Sequence, residues 1–409
     1  MQQDLDHLMA ERNLDALVVI IDEKPSANSL YLTRAAELSG GYVVKPRGRS
    51  PILYHHAIEA GGAAQSGLET RSLANFNLRQ LIIEANNDRL QAQTRLIDLL
   101  LNDAGVSGRI SMYGTTEIGR AFAWLSALAA SQPEVEIVGE FHRDVLTVAR
   151  ETKDEHEIAA IRDVGRRTQE VMAVVVDFLR HQHAREGMLV DEVGVPITVG
   201  DIKRLIRREL LDRGLLDTEG TIFAIGLDAA IPHNSGKPDD PLRLGQPIVF
   251  DIFPRDLRTG YYFDMTRTFA LGHAPLALQA MYGDVLDAFN AALIALHPEI
   301  PTADLQTLVC DLFEARDYPT PRTDPTSDVG YIHSLGHGIG LDVHEAPSLS
   351  DLSAEILSPG AVFTIEPGLY DPHAGLGVRI EDTVAIAPDG TVQSLTDFPK
   401  DLVIPVYGA

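Results

Sequence analysis

The sequence predicts an α+β protein of two domains, a smaller α/β domain over residues 1–150 and a larger one over residues 151–409. Three observations carry this. A chain of 409 residues exceeds what one hydrophobic core ordinarily serves. Up to about residue 150, strand-sized apolar runs alternate with helical patterns, as in a compact α/β domain. Beyond it, a long amphipathic helical pattern opens a region whose last hundred or so residues read mostly as strands.

In order, "LDALVVII", "GYVVKP" and "SPILYHH" predict strands, and "NLRQLIIEANNDRLQAQTRLIDLLLND" predicts a helix. "RISMYG" and "VEIVGE" predict two further strands. In "ETKDEHEIAAIRDVGRRTQEVMAVVVDFLRHQH", Ile158, Ile161, Val164, Val171 and Val175 recur at roughly helical intervals. A second helix, "VGDIKRLIRRELLDRG", ends on Gly214 as a C-terminal cap. Strands "TIFAIG", "PIVFDIF" and "YYFDMTRTFAL" follow, then a helix pair over about 277–315, then strands broken at "SPG", "EPG" and "PDG". No internal repeat of short period and no low-complexity tract interrupts this order.

Composition narrows the class. With 45% hydrophobic and 23% charged residues, the chain reads as an ordinary soluble globular protein. No apolar run approaches the length of a membrane span, and "MQQDLDHLMAERN" lacks a signal-peptide core. Cys310 is the only cysteine, which excludes disulfides within the chain and cysteine-based zinc sites. A cytoplasmic protein is expected. The formal charge of −25, with no basic stripe, argues against a nucleic-acid or anionic-membrane partner. It is compatible with holding divalent cations.

Four stretches carry chemistry. In "IVFDIFPRDLRTGYYFDMTRTF", Asp251 ends an apolar strand, Asp264 falls within the next, and "PRDLRTG" reads as the hairpin turn between them. Aspartate is disfavoured in strands, so two buried ones need a compensating charge. A bound cation supplies it; a turn cap plus a salt bridge to Arg267 would serve equally.

The stretch "GYIHSLGHGIGLDVHE" holds His333, His337 and His344, three of 14 histidines. Gly336, Gly338 and Gly340 make a helix improbable there, since each costs about 1 kcal/mol relative to alanine. The glycines instead suggest close approach of backbone and ligand. A G-x-G-x-x-G nucleotide loop is not formed, because Leu341 stands where the last glycine belongs. In "VFTIEPGLY" Glu366 ends an apolar strand, and in "GVRIEDTVAI" Glu381 alternates with apolar neighbours. Each carboxylate is costly there unless neutralised. Arg379 lies on the same face as Glu381, so it or a metal could do so.

Asp251, Asp264, His337, Glu366 and Glu381 form a hard, oxygen-rich donor set that suits Mn²⁺ or a similar ion. One catalytic ion takes about three protein ligands. Two ions about 3.5–4 Å apart, sharing bridging carboxylates, would use all five groups.

These motifs resemble the pita-bread metallopeptidases: prolidase, aminopeptidase P and methionine aminopeptidase. The likeness runs from about residue 150 to the end, through "DIF…GYYFDMTRTF", "HSLGHGIGLDVHE", "TIEPGLY" and "GVRIEDTV". The N-terminal α/β domain resembles that of prolidase, aminopeptidase P and creatinase, which favours proline-directed enzymes. The resemblance implies a pita-bread catalytic domain behind a creatinase-like N-terminal domain, and a homodimer. It implies two divalent ions, Mn²⁺ first and Co²⁺ or Zn²⁺ otherwise. Asp251 would hold one, His337 and Glu366 the other, with Asp264 and Glu381 bridging.

By the same resemblance, His233 in "AIPHNSG" is a substrate-pocket histidine, and His333 and His344 contact the substrate or its tetrahedral intermediate. Glu366 would shuttle a proton to the leaving nitrogen of a bond before proline, and activity would fall in acid as His337 protonates. The expected substrate is a small proline-containing peptide, cut as by an Xaa-Pro dipeptidase or, alternatively, as by an Xaa-Pro aminopeptidase on longer peptides.

Two departures stand out. The segment between Asp251 and Asp264 is two residues longer than in those relatives, which predicts slightly longer paired strands with the ligands in place. The arginine that dipeptidases place soon after the H-[DE] pair is missing from "HEAPSLSDLSAEILSPG". Arg379, or an arginine of a neighbouring subunit's N-terminal domain, would have to replace it. A metal-free hydrolase of the creatinase type and a non-catalytic peptide-binding module are the rival readings, and the complete ligand set opposes both. No G-x-S-x-G or H-E-x-x-H occurs.

Overall fold

The structure, a computed structural model, describes residues 4–408. The chain divides into two compact units, Met1–Arg150 and Glu151–Ala409.

The first unit is built on one mixed sheet of strands β1 (Ala16–Ile21), β2 (Gly41–Pro46), β3 (Ile52–His55), β4 (Glu69–Ser72), β5 (Gly108–Tyr113) and β6 (Val135–Val138). Their spatial order is β4-β3-β2-β1-β5-β6. β1 pairs antiparallel with β2 and parallel with β5. Val18, Val44, Tyr54 and Ile110 from the strands pack with Leu96, Ile97 and Leu100 from the helix Arg89–Asp103.

The single helix expected over "NLRQLIIEANNDRLQAQTRLIDLLLND" is two helices, Leu78–Glu84 and Arg89–Asp103. Asn86 and Asn87 break it, with φ of 51° and 64°. Asparagine tolerates this left-handed region better than most residues, and Asp88 then caps the second helix by accepting from the Gln91 N–H.

The second unit has two principal sheets. One orders the strands Ile222–Ile225, Pro247–Ile252, Met265–Leu271 and Val403–Ile404. The helices Glu155–Arg180 and Val199–Asp212 supply Ile161, Val164, Ile202 and Ile206 to its core, with Phe250 and Phe263 from the sheet side. The other orders Glu345–Leu349, Gly336–Gly338, Val362–Ile365, Asp382–Ile386 and Val392–Ser394. Its core takes Val285, Phe289, Val309 and Phe313 from the helices Leu276–Ala295 and Thr302–Glu314. A small hairpin of Gly368–Asp371 with Leu376–Arg379 completes the unit. Among the described residues no helix is long and apolar enough to cross a membrane.

The segment joining Asp251 to Asp264 departs from the sequence expectation. It is no tight hairpin tip: residues 253–264 leave the ladder, and Arg255–Asp256 pair with Leu215–Leu216. Ile252 faces Met265 and Asp251 faces Thr266, so Asp264 stands one residue ahead of its strand, not within it. Glu381 likewise lies between two strands, bridged to Thr266. "EPG" makes no hairpin turn either; Glu366 and Pro367 connect strands of two different sheets.

Candidate metal centre

The ligand-bearing segments meet where the two sheets of the second unit join. Asp251 and Thr266 face each other across the antiparallel pair, and side chains two residues apart share a face. Thr266 therefore projects with Asp251, and Asp264, one residue ahead of the strand, joins the same group of donors. The backbone N–H of Glu381 bonds the Thr266 carbonyl at 3.1 Å, which pins the second sheet's junction against the first. Buried Arg267 reinforces this by donating to the Glu381 carbonyl at 2.7 Å and pairing with Asp382 at 2.8 Å. Arg267 is thereby committed to Asp382, so the alternative in which it neutralises the aspartates is not what the chain does.

Asp264, His337 and Glu381 each offer a donor atom, and these atoms lie within 4.8 Å of one another. His337 Nε2 stands 3.4 Å from Glu366 Oε1 and 3.8 Å from Asp264 Oδ2. Its Nδ1 faces the Gly338 carbonyl at 3.1 Å, which places the proton on Nδ1 and leaves Nε2 as a free donor pair. Glu381 Oε2 accepts from the Thr266 hydroxyl at 2.7 Å, and Glu366 Oε1 from that of Thr364 at 3.3 Å.

Three oxygens in this cluster, Asp251 Oδ1, Asp264 Oδ1 and Glu381 Oε1, are buried without a hydrogen-bond partner. Unpaired buried carboxylate oxygens are costly and call for a cation. Four carboxylates face one guanidinium, that of Arg379. The converging donors of Asp264, His337 and Glu381 therefore fit a divalent metal, with Glu366 Oε1 3.4 Å from His337 Nε2 and Asp251 Oδ1 bare in the same cluster.

Electrostatics agree with that fit. Burial, then Glu381, Asp251 and Glu366, push the Asp264 carboxyl well above its ordinary range. Burial followed by Glu366 and Asp251 does the same to Glu381. Burial lifts Glu366 to about 8 against the opposing pull of Arg379. Burial and the neighbouring His344 lower His337 to about 3, so its ring stays neutral until well into acid.

These shifts predict a pH dependence for the metal-free protein. The carboxyls bind protons more tightly folded than unfolded, so they lose stability as pH rises toward 8; His337 and His333, depressed from 6.5, do the opposite below about 6.5. Between those limits only the carboxyls act. The melting temperature in chelator should fall from pH 6.5 to 8 by several degrees, at about 2–4 °C per kcal/mol for a unit of this size. Mn²⁺ should flatten the slope. A melting temperature that rises over this window without metal would contradict the assignment.

Arg379 is 3% exposed. It donates to Asp251 Oδ2, to the Tyr370 hydroxyl at 2.8 Å and to the Thr266 hydroxyl at 3.3 Å, and lies 3.4 Å from the Pro232 carbonyl. It holds Asp251 rather than Glu381, and with four of its five N–H donors committed it is poorly placed to replace the missing carboxylate-binding arginine. Tyr370, accepting from Arg379, has its proton directed at His333 Nε2, 3.0 Å away, while His333 Nδ1 faces the Ser334 carbonyl at 2.8 Å. Both nitrogens of His333 are thus occupied, and burial with Arg379 keeps its ring neutral down to about 4. His344 is exposed, its ring centroid 4.3 Å from that of His337. His233 is also exposed and near enough to His333 and His344 to disfavour their protonation.

Tyr370, Thr266 and Thr364 were missed by sequence reasoning. A signal existed for the threonines: each lies two positions from a carboxylate along one strand line, hence on its face. Tyr370 is four residues beyond Glu366, across a change of sheet, and local pattern does not reach it. The glycines of "GHGIG" also have a different cause from the one expected. A Cβ on Gly336 would stand 2.0 Å from the Thr364 carbonyl oxygen, and one on Gly338 2.1 Å from that of Ala346. Neighbouring strands, not a ligand, demand them.

Residues 159–388, more than half of the chain, match the sequence profile described as metallopeptidase family M24. An Xaa-Pro dipeptidase of Pyrococcus furiosus is 36% identical over 183 residues, covering 45% of this chain and 49% of that protein. The chain spans about half to 64% of the length of the curated relatives it matches. Among solved structures, an Xaa-Pro dipeptidase from Bacillus anthracis superposes with a TM-score of 0.76 at 20% identity, covering 98% of this chain and 99% of that one. An X-Pro aminopeptidase from Thermotoga maritima superposes with a TM-score of 0.74 at 22% identity, with the same coverage. At these identities the likeness is one of fold: a pita-bread unit preceded by an N-terminal α/β unit.

Proposed function

This chain is a member of metallopeptidase family M24, and on that premise we propose that it is an exopeptidase hydrolysing the bond before proline, in the manner of an Xaa-Pro dipeptidase. The observation that carries the reading is the trio of buried, partnerless carboxylate oxygens on Asp251, Asp264 and Glu381 beside the free Nε2 of His337. A pair of divalent ions, Mn²⁺ in this proposal, would when bound supply Lewis-acid polarisation of the scissile carbonyl and an acidified water.

The chain's own residues do the rest. Glu366, whose carboxyl burial already disposes to take a proton, accepts one from the attacking water and passes it to the leaving imino nitrogen. His344, exposed beside His337, turns its ring toward the developing oxyanion, and His233 orients the substrate from the same side. His333 acts at one remove: the line Asp251–Arg379–Tyr370–His333 fixes Asp251 and the wall beside it.

A second reading, cleavage of longer peptides as by an Xaa-Pro aminopeptidase, is favoured by one observation. Arg379 is buried and gives four of its five donors to Asp251, Tyr370, Thr266 and the Pro232 carbonyl, so within this unit it offers a poor grip for the free carboxylate of a dipeptide. Turnover of Ala-Pro against Ala-Pro-Ala and longer peptides, with Mn²⁺, Co²⁺ and Zn²⁺ in turn, separates the two. The dipeptidase reading expects Ala-Pro to exceed Ala-Pro-Ala in kcat/KM by about tenfold or more, an ion-paired terminus being worth about 1.4 kcal/mol. A reversed ratio selects the aminopeptidase, and no cleavage of either with any metal removes both.

A further inference from the structure

Apart from the metal centre, and independent of the peptidase reading, the first unit carries a cavity of about 480 Å³. It opens at the carboxyl ends of β1 and β5, which are parallel neighbours. The chain leaving β1 goes on to β2 on one side of the pair, whereas the chain leaving β5 goes on to β6 on the other. Where strand order diverges in this way, the connections leave a crevice uncovered, and α/β sheets bind ligands there. The volume falls in the ordinary range of small-molecule sites, about 300–1,000 Å³.

The lining carries both signs of charge beside aromatic rings. Asp22 follows β1 and accepts from the Thr115 hydroxyl at 3.1 Å. Arg120, in the first turn of the helix Ile118–Ser131, and Arg89, the first residue of the helix Arg89–Asp103, line the cavity too, both exposed. Among the described residues, none of these three charged groups has an ion-pair partner. Tyr42 lines the same cavity, and its hydroxyl accepts from the Gln93 side-chain amide. Trp124 is 8% exposed, and its indole N–H has no hydrogen-bond partner.

A simple anion would be opposed by Asp22, and a simple cation by the two arginines. We propose that this cavity binds a small zwitterion, an apolar amino acid or a short peptide with free termini. Its carboxylate lies toward Arg89 and Arg120, its ammonium toward Asp22, and its apolar part against Trp124 and Tyr42. Arg120 sits at a helix N-terminal end, where the dipole adds to the attraction for a carboxylate.

Trp124 is the only tryptophan in the chain, so its emission reports on this cavity alone. The full chain, kept metal-free so that no peptide is turned over, is titrated with L-leucine and L-phenylalanine while that emission is followed. A saturable change is expected. N-acetyl-L-leucine and L-leucinamide, each lacking one charge, should bind about tenfold more weakly or worse, a charge-assisted contact being worth about 1.5–3 kcal/mol. Asp22→Asn should weaken L-leucine but not N-acetyl-L-leucine, and Arg120→Gln should weaken L-leucine but not the amide. No saturable change at about 10 mM ligand, a ceiling set by affinities near the millimolar limit, overturns the proposal. So does equal binding of all ligand forms by parent and variants.

Discussion

Replacing Asp264 with alanine is expected to abolish peptidase activity without unfolding the protein. Asp264 is 4% exposed, sits 3.8 Å from His337 Nε2, and belongs to the donor cluster with Glu381. Losing it removes several kcal/mol of charge stabilisation that metal would deliver to the reacting carbonyl, so kcat/KM should fall about 10³-fold or more. Metal content after chelation and reloading with Mn²⁺ should fall with it. Stability should move the other way. In the metal-free protein this carboxyl is buried with Oδ1 unpaired and pressed by Glu381 and Asp251. Its removal should leave the melting temperature in chelator unchanged or raised. Full activity of the Asp264→Ala variant after chelation and Mn²⁺ readdition would sink the two-ion scheme.

Glu366→Gln tests the chemistry more narrowly. The amide keeps the shape and can still meet the Thr364 hydroxyl, which bonds Glu366 Oε1 at 3.3 Å. What it loses is the ability to take and release a proton and the negative charge it would offer a metal, so metal content is measured alongside the kinetics. General acid–base catalysis contributes about 10²–10⁴, and kcat should drop by that factor with KM little changed. That split between kcat and KM distinguishes a lost proton carrier from a lost binding contact. A kcat within about tenfold of the parent, with metal content restored, would show that Glu366 does not carry the proton.

Much of the candidate site was legible because its cost is local. A carboxylate inside "IVFDIF", "VFTIEPG" or "VRIED" is expensive in an apolar strand whatever lies across from it, so the run itself announces a missing partner. The fold class was legible for a similar reason: hydrophobic period separates strand from helix within a short window. Where two asparagines interrupt an otherwise helical pattern, the window misleads, because the break at Asn86 and Asn87 is a backbone choice that costs the pattern nothing.

Taken by itself, then, the sequence determined which residues carry charge into apolar surroundings, and hence that each needs a compensating partner. Tertiary structure alone decided which atom answers which. It assigned one oxygen of Asp251 to Arg379 and left the other bare, tied both nitrogens of His333, and committed Arg267 to Asp382. It also made Gly336 and Gly338 obligatory through carbonyls of adjoining strands. The physical reason is range. Desolvation acts on a group wherever it is buried, but hydrogen bonds and steric contact depend on register between strands far apart in the chain.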